Sequence, residues 1–222
     1  GSHYTSEKNV LKVLEPLFLN ELYEEFDKAS SSIIKLKNLK KKKLSKLKFL
    51  DPACGCGNFL VIAYRELRKL ELKIIKQIDV LNSSTNSDRT QMVLDVESSN
   101  LTNIPLYNFI GFEIDYFPSK ITELSMWLVD HQMNSELSNY IGEYFTKIPI
   151  TESVEVFHVN SNEINWEDYI SKVEVNYIIG NPPFRGVKER TKDQSNEMKK
   201  VFLNERGTGN LDYVTCWFKK AS

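Results

Sequence analysis

The chain has no apolar run long enough to cross a bilayer, and its polar start lacks the apolar core of a secretory signal. Cysteine is scarce: there are three, and Cys54 and Cys56 stand one residue apart. That number and spacing exclude a disulfide framework, so a reduced, cytosolic protein is the expectation. A one-residue spacer with no other Cys or His nearby is also poor zinc geometry, and no metal is expected. The glycines around these cysteines are followed by no Walker lysine, which excludes a phosphate loop. A broad basic excess is missing too. The net charge is −1, but eight lysines and no acid lie between Lys35 and Lys48, leaving 21 bases against 30 acids elsewhere. The lysine run reads as a solvated helix face carrying a few core leucines, with phosphate contact as the alternative.

What is present suits one α/β domain, or part of a larger one, within 222 residues. A helix is expected from near Glu7, capped by Thr5 or Ser6 and striped with Val10, Leu14, Leu17 and Phe18; Pro16 is positioned to kink it. A second helical stretch runs from Asn20 to Lys46. Leu47–Leu50 is the first strand. It leads into Asp51-Pro52-Ala53-Cys54-Gly55-Cys56-Gly57-Asn58-Phe59 and a helix to about Lys73. A strand, a glycine-containing turn and a helix form the nucleotide-binding corner of a doubly wound sheet. Gly55 and Gly57 are expected to let the backbone approach a ligand without a Cβ in the way. An acid at the strand tip repels phosphate but welcomes a cation, such as a sulfonium or an ammonium. Residues 82–103 read as a polar insertion. Tyr107–Asp115 is the second strand, and the acid at its tip suits ribose hydroxyls. A helix from Pro118 to about Met133 follows, with His131 on it in a packing or capping role. Val154–Val159 alternates as a third strand, with Asn160 at its end to meet an adenine edge or start a turn.

The fourth strand is the run Val173, Val175, Tyr177, Ile178 and Ile179, read as buried, which breaks at Gly180 into Asn181-Pro182-Pro183-Phe184. Two prolines fix their φ angles and remove two donors, leaving the Asn181 side-chain oxygen and the Pro182 carbonyl as rigid acceptors beside an aromatic face. That suits one chemical problem. The lone pair of a planar amine or amide is delocalised, and two acceptors on its N–H bonds favour the positively charged tetrahedral nitrogen formed during attack. Phe184 would stack on the planar substrate. The plainer alternative is turn chemistry after a strand. Beyond Phe184, residues 185–210 read as a charged, mobile loop with a short helix near Asn196–Leu203, ordered when substrate is present; Leu211–Lys220 reads as a last helix.

Together these residues resemble the S-adenosylmethionine-dependent amino-methyltransferases, in particular the N6-adenine DNA methyltransferases of bacterial restriction-modification systems of the MmeI-like type, which join nuclease and methyltransferase in one polypeptide. Asp51–Phe59 looks like that family's first cofactor motif, Gly111–Asp115 its second, and Asn181, Pro182, Pro183 and Phe184 its catalytic motif. His3-Tyr4-Thr5-Ser6 is similar to an extra cofactor segment placed upstream in this subclass, and Trp127–Asn134 also looks familial, with no chemistry attached. The resemblance implies a Rossmann-like methyltransferase fold, truncated, with N-terminal helices: a helical segment at 1–46 and a partial catalytic domain at 47–222. It implies S-adenosylmethionine as cofactor, with Tyr4, Thr5, Asp51, Pro52, Ala53, Cys54, Gly55, Gly57, Asn58 and Phe59 around it. Of these, Thr5, Asp51, Ala53 and Gly55 would meet the methionine part, Glu113 the ribose, Ile114 the adenine ring and Asn160 the adenine edge, where many relatives carry an acid. The implied partner is double-stranded DNA, gripped mainly by a target-recognition domain absent here; no membrane is involved, and oligomeric state is not implied. About four strands of seven are expected, with the fourth left as an edge. Two other functions remain open: the same chemistry on a protein glutamine or an RNA guanine, and a cofactor-binding fragment that turns nothing over.

Overall fold

The computed structural model describes residues 5–84, 102–141, 154–170 and 175–222. Four parallel strands, β1 (Phe49–Asp51), β2 (Phe109–Glu113), β3 (Glu155–His158) and β4 (Tyr177–Ile178), lie in the order β3-β2-β1-β4. This is the order of a doubly wound sheet, in which the chain reverses direction across the sheet between β1 and β4 and leaves a crevice at the strands' carboxyl ends. Phe49 faces Phe109 on one side and Tyr177 on the other, and their rings stack at 5.0 and 5.4 Å. The three rings run across the strands and help fix the register, since a one-residue slip would turn each ring to the opposite face.

That aromatic face is covered by α1 (Glu7–Leu14), α2 (Asn20–Ala29), α3 (Ile33–Asn38), α4 (Asn58–Ser84) and α5 (Tyr116–Ile141). Val10, Leu14, Phe18, Leu22 and Phe26 recur every four residues and are all buried, so one helical stripe meets the sheet. Pro16 falls in a π turn between α1 and α2. That turn, Glu15–Leu19, accommodates a residue without a backbone donor, and both Phe18 and Leu19 are buried there. The helices of the first 46 residues share one core with Phe49, Leu60 and Tyr64 of the sheet layer.

The lysine run is helical but not one solvated face. Lys40 is mostly buried beside Glu71 at 3.8 Å, and Lys43 reaches Glu21 at 2.8 Å and also Glu25. The run precedes β1, at the sheet end away from the crevice. Between α4 and α5 lies a buried polar group: Arg68 donates to Asp130 (2.7 Å), Tyr64 donates to Asp130 (2.6 Å), and Arg68 pairs with Glu71 (3.2 Å). Asp130 gives the familial stretch at Trp127–Asn134 a structural task. His131 is exposed, and its carbonyl accepts from the Ser135 hydroxyl.

The opposite face of the sheet, with Leu50, Ile110 and Phe112, is covered by the end of the chain. Trp166 packs there with Met198 and Phe202, and with Tyr213, Cys216 and Trp217. α6 is Glu167–Ile170, α7 Lys192–Val201 and α8 Thr215–Ala221. Of residues 185–210, expected as a mobile loop with a short helix near Asn196–Leu203, the helix forms as α7 and sets Met198 and Phe202 into the second face; a capping box at Thr191 and Gln194 opens it. The fourth strand was expected both as buried and as an edge: among the described residues β4 pairs with β1 alone, an edge, and Ile178 is 43% exposed, so the buried reading is corrected. Val173 lies outside the described residues, as does most of the 82–103 insertion. Among the described residues no helix is long and apolar enough to cross a membrane.

Candidate active site

The carboxyl ends of all four strands open on one cleft of about 790 Å³. That volume lies within the usual range for small-molecule sites. Asp51 closes β1, Glu113 closes β2, Asn160 follows β3 and Asn181 follows β4; all four line the cleft. So do Thr5, Pro52, Ala53, Cys54, Gly55, Asn58, Phe59, Ile114, Pro182, Pro183 and Phe184. Of the expected site residues, Tyr4 lies outside the described residues and Gly57 does not line the cleft. The sheet therefore gathers stretches from five separate parts of the sequence at one rim.

The loop after β1 is held by hydrogen bonds to its neighbours. The Cys54 amide donates to the Phe112 carbonyl (3.0 Å), and the Gly55 amide donates to Glu113 Oε2 (2.8 Å). Glu113 Oε1 accepts from the Asp115 amide (2.9 Å), so one carboxylate fastens both cofactor-type loops while lining the cleft. Thr122 of α5 donates its hydroxyl to the Gly55 carbonyl (2.8 Å). The two glycines differ in purpose. Gly55 has φ +56° with nothing within 4 Å of where a Cβ would stand, so its backbone is bare on the cleft side. At Gly57 a Cβ would lie 2.7 Å from the Thr122 methyl; it serves close packing against α5 instead of ligand approach. The Cys54 thiol is likewise turned inward, 3.9 Å from the Thr122 hydroxyl, and burial pushes its pKa well up. Cys54 meets the cleft but is not a reactive thiol. Among the described residues, no group of three or more His, Cys, Asp or Glu could hold a metal ion.

Asp51 is 1% exposed, and its Oδ1 accepts from the Ala53 amide (3.1 Å). Burial raises its pKa to about 7 against that hydrogen bond, and the nearby Glu113 charge adds to the rise. Two acids with little cationic relief nearby make this end of the cleft receptive to a positive group. Gly180 is shaped by the same acid: its φ is +153°, and a Cβ there would stand 2.4 Å from Asp51 Oδ1. The catalytic-type corner therefore lies directly against the first loop.

Asn181 is exposed, and its Nδ2 donates to Thr5 Oγ1 (3.1 Å). Phe184 is 64% exposed at the mouth. Next to it, the Arg185 amide donates to Asp212 Oδ1 (2.9 Å) and its carbonyl accepts from the Tyr213 amide (3.0 Å). Asn160 turns its own oxygen to the Asn162 amide (3.0 Å), so it starts the next turn while lining the cleft; Ile114 is exposed there.

Sequence reasoning missed several lining residues: Ser161, Arg185, Glu189, Tyr213 and Trp217 among them. Trp217 donates to the Pro52 carbonyl (3.2 Å) and the Ser161 hydroxyl (3.0 Å), tying α8 to the first loop. The aromatic pair in Tyr213-Val214-Thr215-Cys216-Trp217 was the available signal, but nothing local tells which face of which loop it meets.

Residues 26–222 match the family model of the MmeI DNA-methyltransferase domain. A protein from Bacillus subtilis (strain 168) described as DNA methyltransferase A is 35% identical over 221 residues, 98% of this chain and 24% of that protein. A solved structure of the Type IIL restriction-modification enzyme MmeI in complex with DNA superposes with a TM-score of 0.87 at 42% identity, covering 99% of this chain and 28% of that one. The chain spans about a quarter of the length of these relatives.

Proposed function

The chain belongs to the MmeI DNA-methyltransferase domain family, and on that premise we propose that it moves a methyl group from S-adenosylmethionine to the N6 amine of an adenine turned out of double-stranded DNA. One observation carries the reading: Asn181 and Pro182 open on the same cleft as Asp51 and Glu113. The residues present fit the cofactor. Asp51, buried and held next to a second acid, suits the positive charge of a sulfonium or an amino acid's ammonium. Glu113 keeps acceptor capacity for ribose hydroxyls beyond its two backbone donors. Exposed Ile114 offers an apolar surface for the adenine ring, and Asn160 lies near enough in the same wall to meet its edge. The bare backbone at Gly55 and the Thr5, Ala53 and Asn58 side of the cleft would take the methionine part.

When bound, the cofactor supplies a methyl group on positively charged sulfur, which departs as a neutral thioether. The chain's own residues prepare the acceptor. Asn181 Oδ1 and the Pro182 carbonyl each take one hydrogen of the amine, which favours a tetrahedral nitrogen with a localised lone pair. No base of matched pKa is required, because the nitrogen's proton becomes acidic once it is alkylated and passes to water. Phe184 stacks on the base and offsets part of the cost of unstacking it, at roughly 1–3 kcal/mol. The cleft carries Asp51, Glu113, Asp115 and Glu189 against Arg185, so it attracts no phosphates by charge. Grip on the duplex therefore falls to a target-recognition region outside this chain. Family membership supports a DNA amine over a protein amide or an RNA guanine.

The test is sequencing of genomic DNA for N6-methyladenine in a host with and without the intact gene. The expected result is a set of modified adenines in one sequence context that vanishes when Asn181 is changed to Ala. Modification elsewhere than N6, or none that depends on the gene, would overturn the reading.

A further inference from the structure

Two asparagines converge on one threonine. Asn58 Nδ2 donates to the Thr5 carbonyl (3.4 Å), and Asn181 Nδ2 donates to the Thr5 hydroxyl (3.1 Å). Thr5 is thus pinned by the start of α4 on one side and in contact with the reacting corner on the other. An asparagine amide has two ends of nearly equal shape and opposite hydrogen-bonding sense. With its oxygen outward, Asn181 accepts from a substrate amine; turned over, it presents donors and opposes the charge that develops there. Nothing in the corner's backbone selects between these. The prolines restrain φ at 182 and 183, not the rotation of the neighbouring amide. The Thr5 hydroxyl holds one of them: it accepts from Nδ2, which keeps the nitrogen toward the N-terminal segment and leaves Oδ1 for the ligand, and it is fixed in that accepting sense once its own proton is given to another acceptor. Nor is that hydroxyl committed to the helix behind it, because Ser6, not Thr5, holds the cap position of α1.

We propose that Thr5 is a positioning residue that sets the orientation of the Asn181 amide. The proposal rests on the reading of Asn181 given above. It also states a constraint on substrate class: the corner is set to receive a hydrogen-bond donor, an amine, and not a carbonyl. A threonine hydroxyl accepts and donates at once, so this task is compatible with a contact to the cofactor.

The experiment compares Thr5→Val, which keeps the shape and removes the hydroxyl, with Thr5→Ser, which keeps the hydroxyl. The first readout needs no ligand: the side-chain amide signals of Asn181 in nitrogen–proton correlation NMR of the 222-residue chain, assigned by their loss in Asn181→Asp. In T5V these signals are expected to shift and exchange with solvent several-fold faster, whereas T5S leaves them near their original positions. The second readout is methyl transfer to adenine-containing duplex DNA at saturating S-adenosylmethionine. There T5V is expected to lose turnover by about tenfold, a fraction of the loss from removing an oxyanion-type contact outright, and T5S to restore most of it. An Asn181 amide signal unmoved by T5V would overturn the proposal. So would a T5V defect that disappears once cofactor saturates, which would make Thr5 a cofactor contact alone. If the unmodified chain transfers no methyl group, the NMR comparison still decides the role of Thr5, and the failure belongs to the reading of the reaction.

Discussion

Replacing Gly180 by Ala puts the link between the two halves of the cleft under direct strain. The new Cβ would stand 2.4 Å from Asp51 Oδ1 and 3.0 Å from its Cγ, about 1 Å short of ordinary contact with the oxygen. The φ of +153° is also one that L residues rarely adopt, at a cost of about 1–3 kcal/mol. Asp51 cannot swing aside easily, because it is buried and accepts from the Ala53 amide. The freer partner is β4, which is paired on one side only, so the corner at 181–184 should move. A shift near 1 Å at a reacting group is enough to cost about 10²-fold in turnover. The predicted outcome is a drop of about 2–4 kcal/mol in stability by chemical denaturation, with turnover falling further than cofactor affinity. Gly186→Ala is the control: a Cβ there meets nothing within 4 Å, and its φ is unremarkable. Wild-type turnover and stability in G180A would refute the reasoning.

Four further outcomes follow from the same geometry. Asn181→Ala should leave cofactor affinity near normal by calorimetry while lowering turnover by about 10²–10³-fold; equal turnover would exclude Asn181 from the chemistry. Glu113→Ala removes a charged acceptor that also anchors the Gly55 and Asp115 amides, so cofactor binding should weaken by about 1.5–3 kcal/mol; unchanged affinity would count against its ribose role. The Asp51 pKa is raised on folding from 3.8 to about 7, so its contribution to stability is full below pH 4 and is lost as pH rises through 7. Ligand-free Asp51→Asn should therefore gain in melting temperature over the parent at pH 8 and not at pH 4, and a parallel pair of melting curves would disprove it. Asp130→Ala leaves the buried Arg68 with Glu71 as its one carboxylate partner among the described residues and should cost about 3–5 kcal/mol in denaturant titrations; a loss under 1 kcal/mol would show that water reaches the site.

Much of this architecture could be read from short-range patterns. Apolar stretches leading to Asp51, Asp115 and Asn181, with helices between, led to the parallel sheet, and the structure brings those ends together. Helix lengths were harder: α4 runs to Ser84 and α5 to Ile141, well past the expected stops, because no proline or glycine ends them early. Gly57 was assigned to the ligand because a glycine in a turn does not announce which neighbour its missing Cβ spares. Both helices expected within 185–221 form, but their packing was not legible, for a related reason. Its charge gives a polar average, yet Met198, Phe202, Tyr213 and Trp217 all turn toward Leu50, Ile110 and Phe112, more than 80 residues upstream. A contact of that span leaves no local period to detect.

β4 is two residues long and joined to the sheet along one margin. The corner that hangs from it inherits little stiffness from strand pairing. It is stayed instead by Thr5 from near one terminus and by Asp212 and Tyr213 from near the other. The arrangement behaves as a mast under guy lines: slackening a single stay tilts the tip without felling the structure. Substitutions at Thr5 or Asp212, whose side chains supply two of these stays, should accordingly leave a well-folded protein with a badly aimed amide.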